Sequence, residues 1–205
     1  LEEMEFNENY EDLHVRIWLE RIYENIDKTD SLSVTFNLLA KDENVWDLYG
    51  TRTRVQMQKA CPFELSTFEG YCLLTSSFFS AYMTNTEHRL LQAERDKTED
   101  NTIILHDFFY KNYDLKIKYD PSDPLKPFVE FDDQIIGSTA EAFGTIYGNG
   151  KLMCTQPVAY DSYYNVCQKF VFLYSTIYVV GKGTVGTYVN ILEWISDEEA
   201  EQYKK

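Results

Sequence analysis

His106 and Asp107 are an acid–base pair that could support catalysis if the imidazole met a second carboxylate in a cleft. Neighbouring residues do not face each other on a helix or a strand, so this pair is not a catalytic dyad by itself. Asp132 and Asp133, with Glu130, could hold a divalent cation, but the segment lacks the spacing of a calcium-binding loop. We therefore assign no catalytic residue, no metal site and no cofactor.

Aromatic residues are the more informative chemical feature, because they make up 16% of the 205 residues. They fill protein cores, and tyrosine and tryptophan are also favoured at protein interfaces. The run from Val166 to Leu173 is apolar on both faces, so as a strand it must be covered on both sides. A helix can cover one side and a partner subunit the other. The candidate partner-binding residues are Phe170, Phe172, Tyr174, Tyr178, Tyr188 and Trp194.

The first half of the chain supplies helices and strands to position these residues. Residues 10–27 carry apolar side chains at helical spacing, and residues 31–39 alternate between apolar and polar, which is typical of a strand. Residues 51–58 are compatible with a polar strand. A polar segment then predicts a helix around Glu87–Arg95, followed by a loop.

The second half supplies one capped helix and several long strands. Ser138 and Glu141 have the spacing of a capping box, and the helix that they begin should end near Gly148. Extended runs follow at residues 151–155, 163–174 and 178–195. We predict an α+β fold, in which one or more N-terminal helices pack on a curved, mostly antiparallel sheet with long C-terminal strands.

The charge of the chain is strongly acidic, with a formal net charge of −15. Acidic residues concentrate at the ends, so we predict an acidic tail at residues 1–12, a single α+β domain at residues 13–195 and a charged tail at residues 196–205. The acidity disfavours nucleic-acid binding, which needs basic side chains to neutralise phosphates, and it argues against docking on an anionic membrane. The expected partner is another protein or a second copy of the chain.

The cysteines and histidines bear on metal binding and on compartment. Their spacing lacks the clusters of a zinc site. Four cysteines allow two disulfides, but we favour free thiols buried as small hydrophobic groups. The chain has no N-glycosylation sequon, and we expect a cytoplasmic or nuclear protein, with secretion left open.

The last third of the chain resembles the nuclear transport factor 2-like family. Residues 131–137 running into Ser138 are similar to the segment before that family's third helix, and residues 164–173 to its penultimate long strand. The resemblance implies helices followed by a strongly curved antiparallel sheet. Members that bind partners pair through the open sheet face, and several act in nuclear transport or messenger RNA export.

A second segment, residues 107–125, resembles the PAZ module, which holds RNA 3′ ends. The resemblance implies aromatic rings that stack on bases and a tyrosine or histidine that holds the terminal phosphate. Several lysines lie in the same stretch. The candidate RNA-binding residues are His106, Phe109, Tyr110, Tyr113, Lys116 and Lys118.

We therefore favour a nonenzymatic scaffold that binds a partner protein through an aromatic sheet face, with a role in nuclear transport or RNA metabolism. Two alternatives stay open. One is an RNA 3′-end-binding module, and the other is an enzyme or small-ligand binder that uses the interior of the sheet as a pocket.

Overall fold

The computed structural model describes residues 31–37, 52–58, 61–123 and 126–204. The chain divides into two compact units, Leu1–Ala60 and Cys61–Lys205. The acidic tail predicted at residues 1–12 and the helix predicted at residues 10–27 lie outside the described residues.

The described part of the first unit is a β-hairpin. Strand β1 (Ser31–Asn37) pairs antiparallel with strand β2 (Arg52–Gln58) along the full length of both strands. The apolar–polar alternation of the first segment and the polar composition of the second had predicted these strands, and both predictions are confirmed.

The second unit is built mainly of short and medium antiparallel strands. In chain order they are β3 (Gly70–Ser76), β4 (Arg89–Arg95), β5 (Thr102–Leu105), β6 (Leu115–Asp120), β7 (Phe128–Glu130), β8 (Gln134–Ser138), β9 (Lys151–Thr155), β10 (Ser162–Asn165), β11 (Phe170–Val179) and β12 (Gly183–Trp194).

Eight of these strands close into a barrel. The ring runs β3, β4, β5, β6, β7, β10, β11, β12 and back to β3, and neighbouring strands are antiparallel. From β3 to β12, each strand of the ring lies beside the strand that follows it in the chain, except β7, which lies beside β10. The ring is therefore an up-and-down barrel, with the hairpin β8–β9 inserted between its fifth and sixth strands.

The α+β fold predicted from the sequence is wrong, and so is the nuclear transport factor 2-like architecture that the resemblance implied. The described part of the second unit has three short α-helices, α1 (Ser77–Tyr82), α2 (Thr139–Phe143) and α3 (Asp197–Ala200), and one 3-10 turn. None is long enough to cover a sheet. The curved sheet buries one face by closing on itself, so it needs no helical layer.

The helix predicted around Glu87–Arg95 is also wrong, because this segment is strand β4. Its inward side chains, Leu91 and Ala93, are buried between β3 and β5, whereas Gln92 and Glu94 point to solvent. Tertiary pairing overrides the helical propensity of the polar residues.

The capping box predicted at Ser138 and Glu141 is confirmed. The Glu141 amide donates to Ser138 Oγ at 3.2 Å, and the Ser138 amide donates to the Glu141 carboxylate at 3.1 Å. The helix ends at Phe143 rather than near Gly148, because Gly144 adopts the left-handed conformation (φ 71°) that terminates helices.

The inserted hairpin β8–β9 extends the wall of the barrel beyond β7 and β10. β9 pairs with the second half of β11, and β8 pairs with β9. The Gln134 side chain then joins β8 to β6, since its Oε1 accepts from the Lys116 amide and its Nε2 donates to the Lys116 carbonyl, both at 2.8 Å. The Gln134 side-chain amide thus makes the two hydrogen bonds that the backbone of a paired strand would make.

Strands β11 and β12 continue past the barrel as an arm. The last residue pair between β12 and β3 is Asn190 with Ser76, and β12 begins seven residues earlier, at Gly183. At about 3.3 Å per strand residue, the β11–β12 hairpin extends roughly 20 Å beyond that pair.

Aromatic side chains fill both ends of the barrel. At one end, the Phe68 ring stacks on Tyr119 at 4.6 Å and meets Trp194 edge-on at 5.0 Å. At the other end, Phe78 of α1 stacks on Phe109 at 4.6 Å. Four of these side chains are at most 1% exposed, and Trp194 is 8% exposed. The protein's own rings therefore occupy both ends of the barrel interior.

A buried polar network lies between the two aromatic ends. Asn190 Oδ1 accepts from Ser76 Oγ at 2.6 Å, and its amide nitrogen donates to the Leu173 carbonyl at 3.0 Å and to Ser175 Oγ at 2.9 Å. Buried polar groups are costly unless they are hydrogen-bonded. This network ties β3, β11 and β12 together where the arm leaves the barrel.

The four cysteines are two buried free thiols and one disulfide-bonded pair. Cys72 and Cys154 are buried free thiols, as predicted, and burial raises the pKa of Cys154 to about 12. For Cys61 and Cys167 the prediction of free thiols is wrong, since they form a disulfide with a Cα–Cα distance of 5.3 Å. The bond ties the first residue of the second unit to the turn between β10 and β11.

We expect the disulfide to contribute strongly to stability, because it links residues that are 106 positions apart. The double variant Cys61→Ser/Cys167→Ser should lose about 2–5 kcal/mol of unfolding free energy by the chain-entropy argument. Urea denaturation of the wild type with and without reductant measures this loss. The double variant is the control, because reductant should leave its midpoint unchanged, and an unchanged wild-type midpoint would show that the bond is absent.

Candidate functional site

Five aromatic side chains form a continuous row on the outer side of β10 and β11. We call them the outer aromatic strip: Tyr160, Tyr163, Phe170, Phe172 and Tyr174. Tyr160 stacks on Tyr174 with 5.0 Å between ring centroids. Phe172 meets Tyr174 edge-on at 5.2 Å and stacks against Tyr163 at 5.4 Å. Tyr163 also meets Phe170 edge-on at 6.1 Å, so every ring touches at least one other.

The alternation of β11 produces this strip. Val171, Leu173 and Ser175 point into the barrel and are fully buried. The residues between them must therefore point outward, since successive side chains of a strand lie on opposite faces. Across the barrel seam, Tyr163 of β10 lies opposite Phe172 of β11. Tyr160 and Tyr163 remain 52% and 41% exposed, so the strip is open to a partner.

Three of the six predicted partner-binding residues lie outside the strip. Tyr178 also points outward, but its hydroxyl donates to Asp133 at 2.7 Å, and that hydrogen bond raises its pKa to about 12. Tyr188 points inward and meets Phe78 edge-on at 5.2 Å. Trp194 is 8% exposed and packs in the core at the opposite end. The structure thus brings together only Phe170, Phe172 and Tyr174.

Tyr160 and Tyr163 are strip residues that the sequence did not single out. Tyr163 follows the period-2 alternation of β10, so a correct strand boundary would have found it. Tyr160 lies in the connection before β10, and no periodic signal marks it.

A shallow groove of about 410 Å³ adjoins the strip. It is lined by Lys126, Pro127, Phe128, Asp161 and Tyr163. Tyr163 therefore belongs both to the strip and to the groove, and it lies opposite Phe128 across the β7–β10 pairing. The groove adds one lysine and one carboxylate beside an otherwise uncharged row of rings.

Of the aromatic residues predicted to stack on RNA bases, Phe109 lies in the core and Tyr110 packs against it. Phe109 is 0% exposed and lies against Phe108 at 4.4 Å. Tyr110 is half-buried, with burial raising its pKa to about 12, and its ring lies so close to Gly137 that an added Cβ would overlap it. Tyr113 closes the β5–β6 connection through its carbonyl, which accepts from the Phe108 amide at 2.8 Å.

The basic residues predicted to hold RNA are paired with carboxylates. Lys116 Nζ forms an ion pair with the buried Asp96 carboxylate, whose pKa this hydrogen bond holds well below its usual range. Lys118 lies 3.9 Å from Glu130. These lysines line a polar surface pocket of about 510 Å³ at the seam between β6, β7 and β8. A phosphate there would have to displace carboxylates that already neutralise the lysines.

His106 lies between two carboxylates. Its Nδ1 is 3.0 Å from Asp114 Oδ2, and its Nε2 is 3.2 Å from Glu94 Oε1. Asp114 also accepts from the Asp107 amide at 3.0 Å, so it holds both the imidazole and the turn after β5. Both imidazole nitrogens are thus occupied by the protein. This arrangement stabilises a turn and leaves no free nitrogen aimed at a substrate.

Metal and membrane features give no further candidate within the described ranges. There, no group of three histidine, cysteine or acidic side chains is placed to hold a metal ion. Of the helices in that part of the chain, none has the length and apolar character needed to span a bilayer.

Fold and site together define an antiparallel β-barrel domain with a filled interior and an exposed aromatic row on its wall. The chain belongs to the family described as domain of unknown function DUF4984, which matches residues 48–205. No curated protein and no solved structure shows significant similarity to the chain. The resemblances to the nuclear transport factor 2-like and PAZ families thus find no support among known relatives.

We expect His106 to make stability depend on pH. Burial lowers its pKa, but the hydrogen bonds and charges of Asp114 and Glu94 outweigh burial and leave the pKa raised. The stabilisation is complete below the unfolded-state pKa of about 6.5 and is lost as pH rises through the folded-state pKa. The unfolding free energy of wild type relative to His106→Gln should therefore be higher at mildly acidic pH than at mildly alkaline pH.

An NMR titration of the His106 ring provides the second readout. Asp114→Asn should lower the pKa of the imidazole relative to wild type, because it removes the facing charge. An unchanged ring pKa in that variant would contradict the assigned contact.

Proposed function

We propose that the protein is a nonenzymatic binding module that holds a partner protein on its outer aromatic strip. The observation that carries the proposal is the unbroken row of five touching rings, of which Tyr160 and Tyr163 remain about half exposed. Tyrosine at the centre of a protein interface contributes a large contact area at a low entropy cost.

The charge around the strip supports a protein partner. From residue 162 to residue 192 the sequence has no aspartate or glutamate, although the whole chain carries a net charge of −15. This segment forms β10, β11 and β12. A core depleted of charge with a charged rim is the usual composition of a protein interface. Asp161 and Glu193, which bound the segment, lie at that rim.

Exposed aliphatic surface beside the strip adds contact area. Val158, in the connection before Tyr160, is fully exposed. On the other side, Val189 and Ile191 of β12 lie opposite Tyr174 and Phe172 and share their outward face. The strip is thus the centre of a wider apolar surface, and contiguous apolar patches mark interaction sites.

The disulfide bears on where this binding takes place. Disulfides persist in oxidising compartments and are rare in the cytosol. The Cys61–Cys167 bond therefore supports a working place outside the reducing cytosol, in contrast to the cytoplasmic or nuclear location expected from the sequence. The nuclear transport and RNA roles rested on the two resemblances, and no contact within the described residues favours them.

A pair of matched tyrosine variants tests the proposal. Tyr163→Asp places a charge in the centre of the strip, and Tyr203→Asp changes an equally exposed tyrosine near the C-terminus, 45% exposed against 41%. Light scattering first shows whether the chain self-associates. Affinity capture with mass spectrometry then identifies a partner, and binding is measured with both proteins purified.

We expect Tyr163→Asp to weaken the measured binding at least about tenfold, as for an interface hot spot, and Tyr203→Asp to leave it unchanged. The proposal fails if wild type is monomeric and captures no protein, or if both variants bind as wild type does.

A further inference from the structure

The tip of the β11–β12 arm is a second exposed surface, distinct from the outer aromatic strip. Two connections meet there, the turn from Val180 to Gly183 and the loop from Gly144 to Gly150 that follows α2. Ile146 is 78% exposed, Val180 51% and Tyr147 49%. These three side chains lie at the tip of the hairpin, which extends roughly 20 Å past the last β12–β3 pair.

The two connections are held together at close range. Gly148 has a φ of 59°, and a Cβ at this position would lie 2.7 Å from Val179 Cγ1 and 3.0 Å from Lys182 Cγ. Only glycine therefore allows this approach without a shift of its neighbours. Lys182 Nζ lies over the Tyr147 ring, 5.4 Å from its centroid. The tip is one surface made of two loops.

Hydrogen bonds fix the shape of the loop that carries Ile146. The buried Thr139 hydroxyl accepts from the Tyr147 amide at 2.8 Å and donates to the Tyr147 carbonyl at 3.3 Å. The Thr139 amide donates to the Gly150 carbonyl at 3.0 Å. The apolar side chains are thus presented on a preformed loop, which reduces the entropy cost of binding.

The two connections at the tip contain no aspartate or glutamate, and Lys182 and Lys151 are exposed there. Glu141 and Asp133 on the neighbouring elements accept hydrogen bonds from the Ser138 and Tyr178 hydroxyls and keep their negative charge. The tip therefore combines exposed aliphatic groups, a tyrosine and two cations.

We propose that this tip inserts into the interfacial region of an anionic lipid bilayer. Aliphatic side chains are stabilised at the acyl boundary, tyrosine is enriched at the headgroup level, and each lysine near an anionic surface contributes about 1 kcal/mol.

The net charge of −15 belongs to the whole chain, whereas the Debye length at physiological salt is about 8 Å. Carboxylates farther than this from the tip therefore interact only weakly with a bilayer that the tip contacts. The whole-chain charge alone does not decide whether this end of the hairpin can meet an anionic membrane.

Vesicle co-sedimentation of the full chain tests the proposal. The probes are phosphatidylcholine vesicles with and without phosphatidylglycerol, at low and at physiological salt. Wild type should sediment with the anionic vesicles and less with the neutral ones. Soluble glycerophosphate should not compete, because binding requires a bilayer and not a free headgroup. Competition by glycerophosphate, or no sedimentation with either vesicle, would overturn the proposal.

Matched variants locate the contact. Ile146→Ser/Val180→Ser should weaken vesicle binding at least about tenfold, because it removes the inserted aliphatic groups. Val158→Ser changes an exposed valine outside the tip and should have no effect. Lys182→Gln should weaken binding to anionic vesicles only, and Lys97→Gln, at an exposed lysine elsewhere, should not. Circular dichroism checks that each variant is folded.

Equal loss of vesicle binding from Val158→Ser and from Ile146→Ser/Val180→Ser, or no loss from the latter, would contradict insertion of the tip. Capture of a purified protein by the tip, with no vesicle binding, would assign the surface to a protein partner instead. Tyr163→Asp leaves the tip intact and should not change vesicle binding. Failure of this proposal is therefore separate from failure of the proposed function.

Discussion

The barrel depends on strand β11, because β11 pairs with three neighbours. It pairs with β12 along its whole length, with β10 over Phe170–Phe172 and with β9 over Thr176–Tyr178. A strand that lacked one of these partners would expose a row of unpaired backbone groups. The switch from β10 to β9 partway along β11 closes the ring and starts the arm. The disulfide to Cys167 fixes the turn just before this strand.

Both proposed surfaces follow from that arrangement. Closure buries the inward residues of β11, so its alternate residues must face solvent or a partner, and most of these are aromatic. Beyond Asn190, β12 no longer pairs with β3, and the β11–β12 hairpin continues beside α1 and β9 to its turn. Phe68, Tyr119 and Phe78 are buried inside the barrel, and both proposed surfaces lie on the outside of its wall.

The sequence predicts local features of this fold better than long-range ones. The alternation of residues 31–39 and the Ser138–Glu141 capping box depend on neighbouring residues, and both are confirmed. Closure depends on three residue pairs between β10 and β11, and neither these pairs nor the disulfide across 106 residues is encoded by a local pattern. Residues 87–95 show the limit of prediction from local sequence. Their alternation is weak, and only pairing with β3 and β5 makes them a strand.

In the candidate site, too, some residues can be predicted from local alternation, and others depend on the pairing of distant strands. The outward face of β11 can be identified from its period of two, and this gives Phe170, Phe172 and Tyr174. The face of β12 depends on its register against β11, which places Ile191 opposite Phe172 and therefore turns Tyr188 and Trp194 inward. Net charge is a coarse guide for a related reason, since it sums over the chain, whereas a partner meets one surface at a time. The acid-free segment 162–192 shows that the distribution of charge along the strands is more informative than its total.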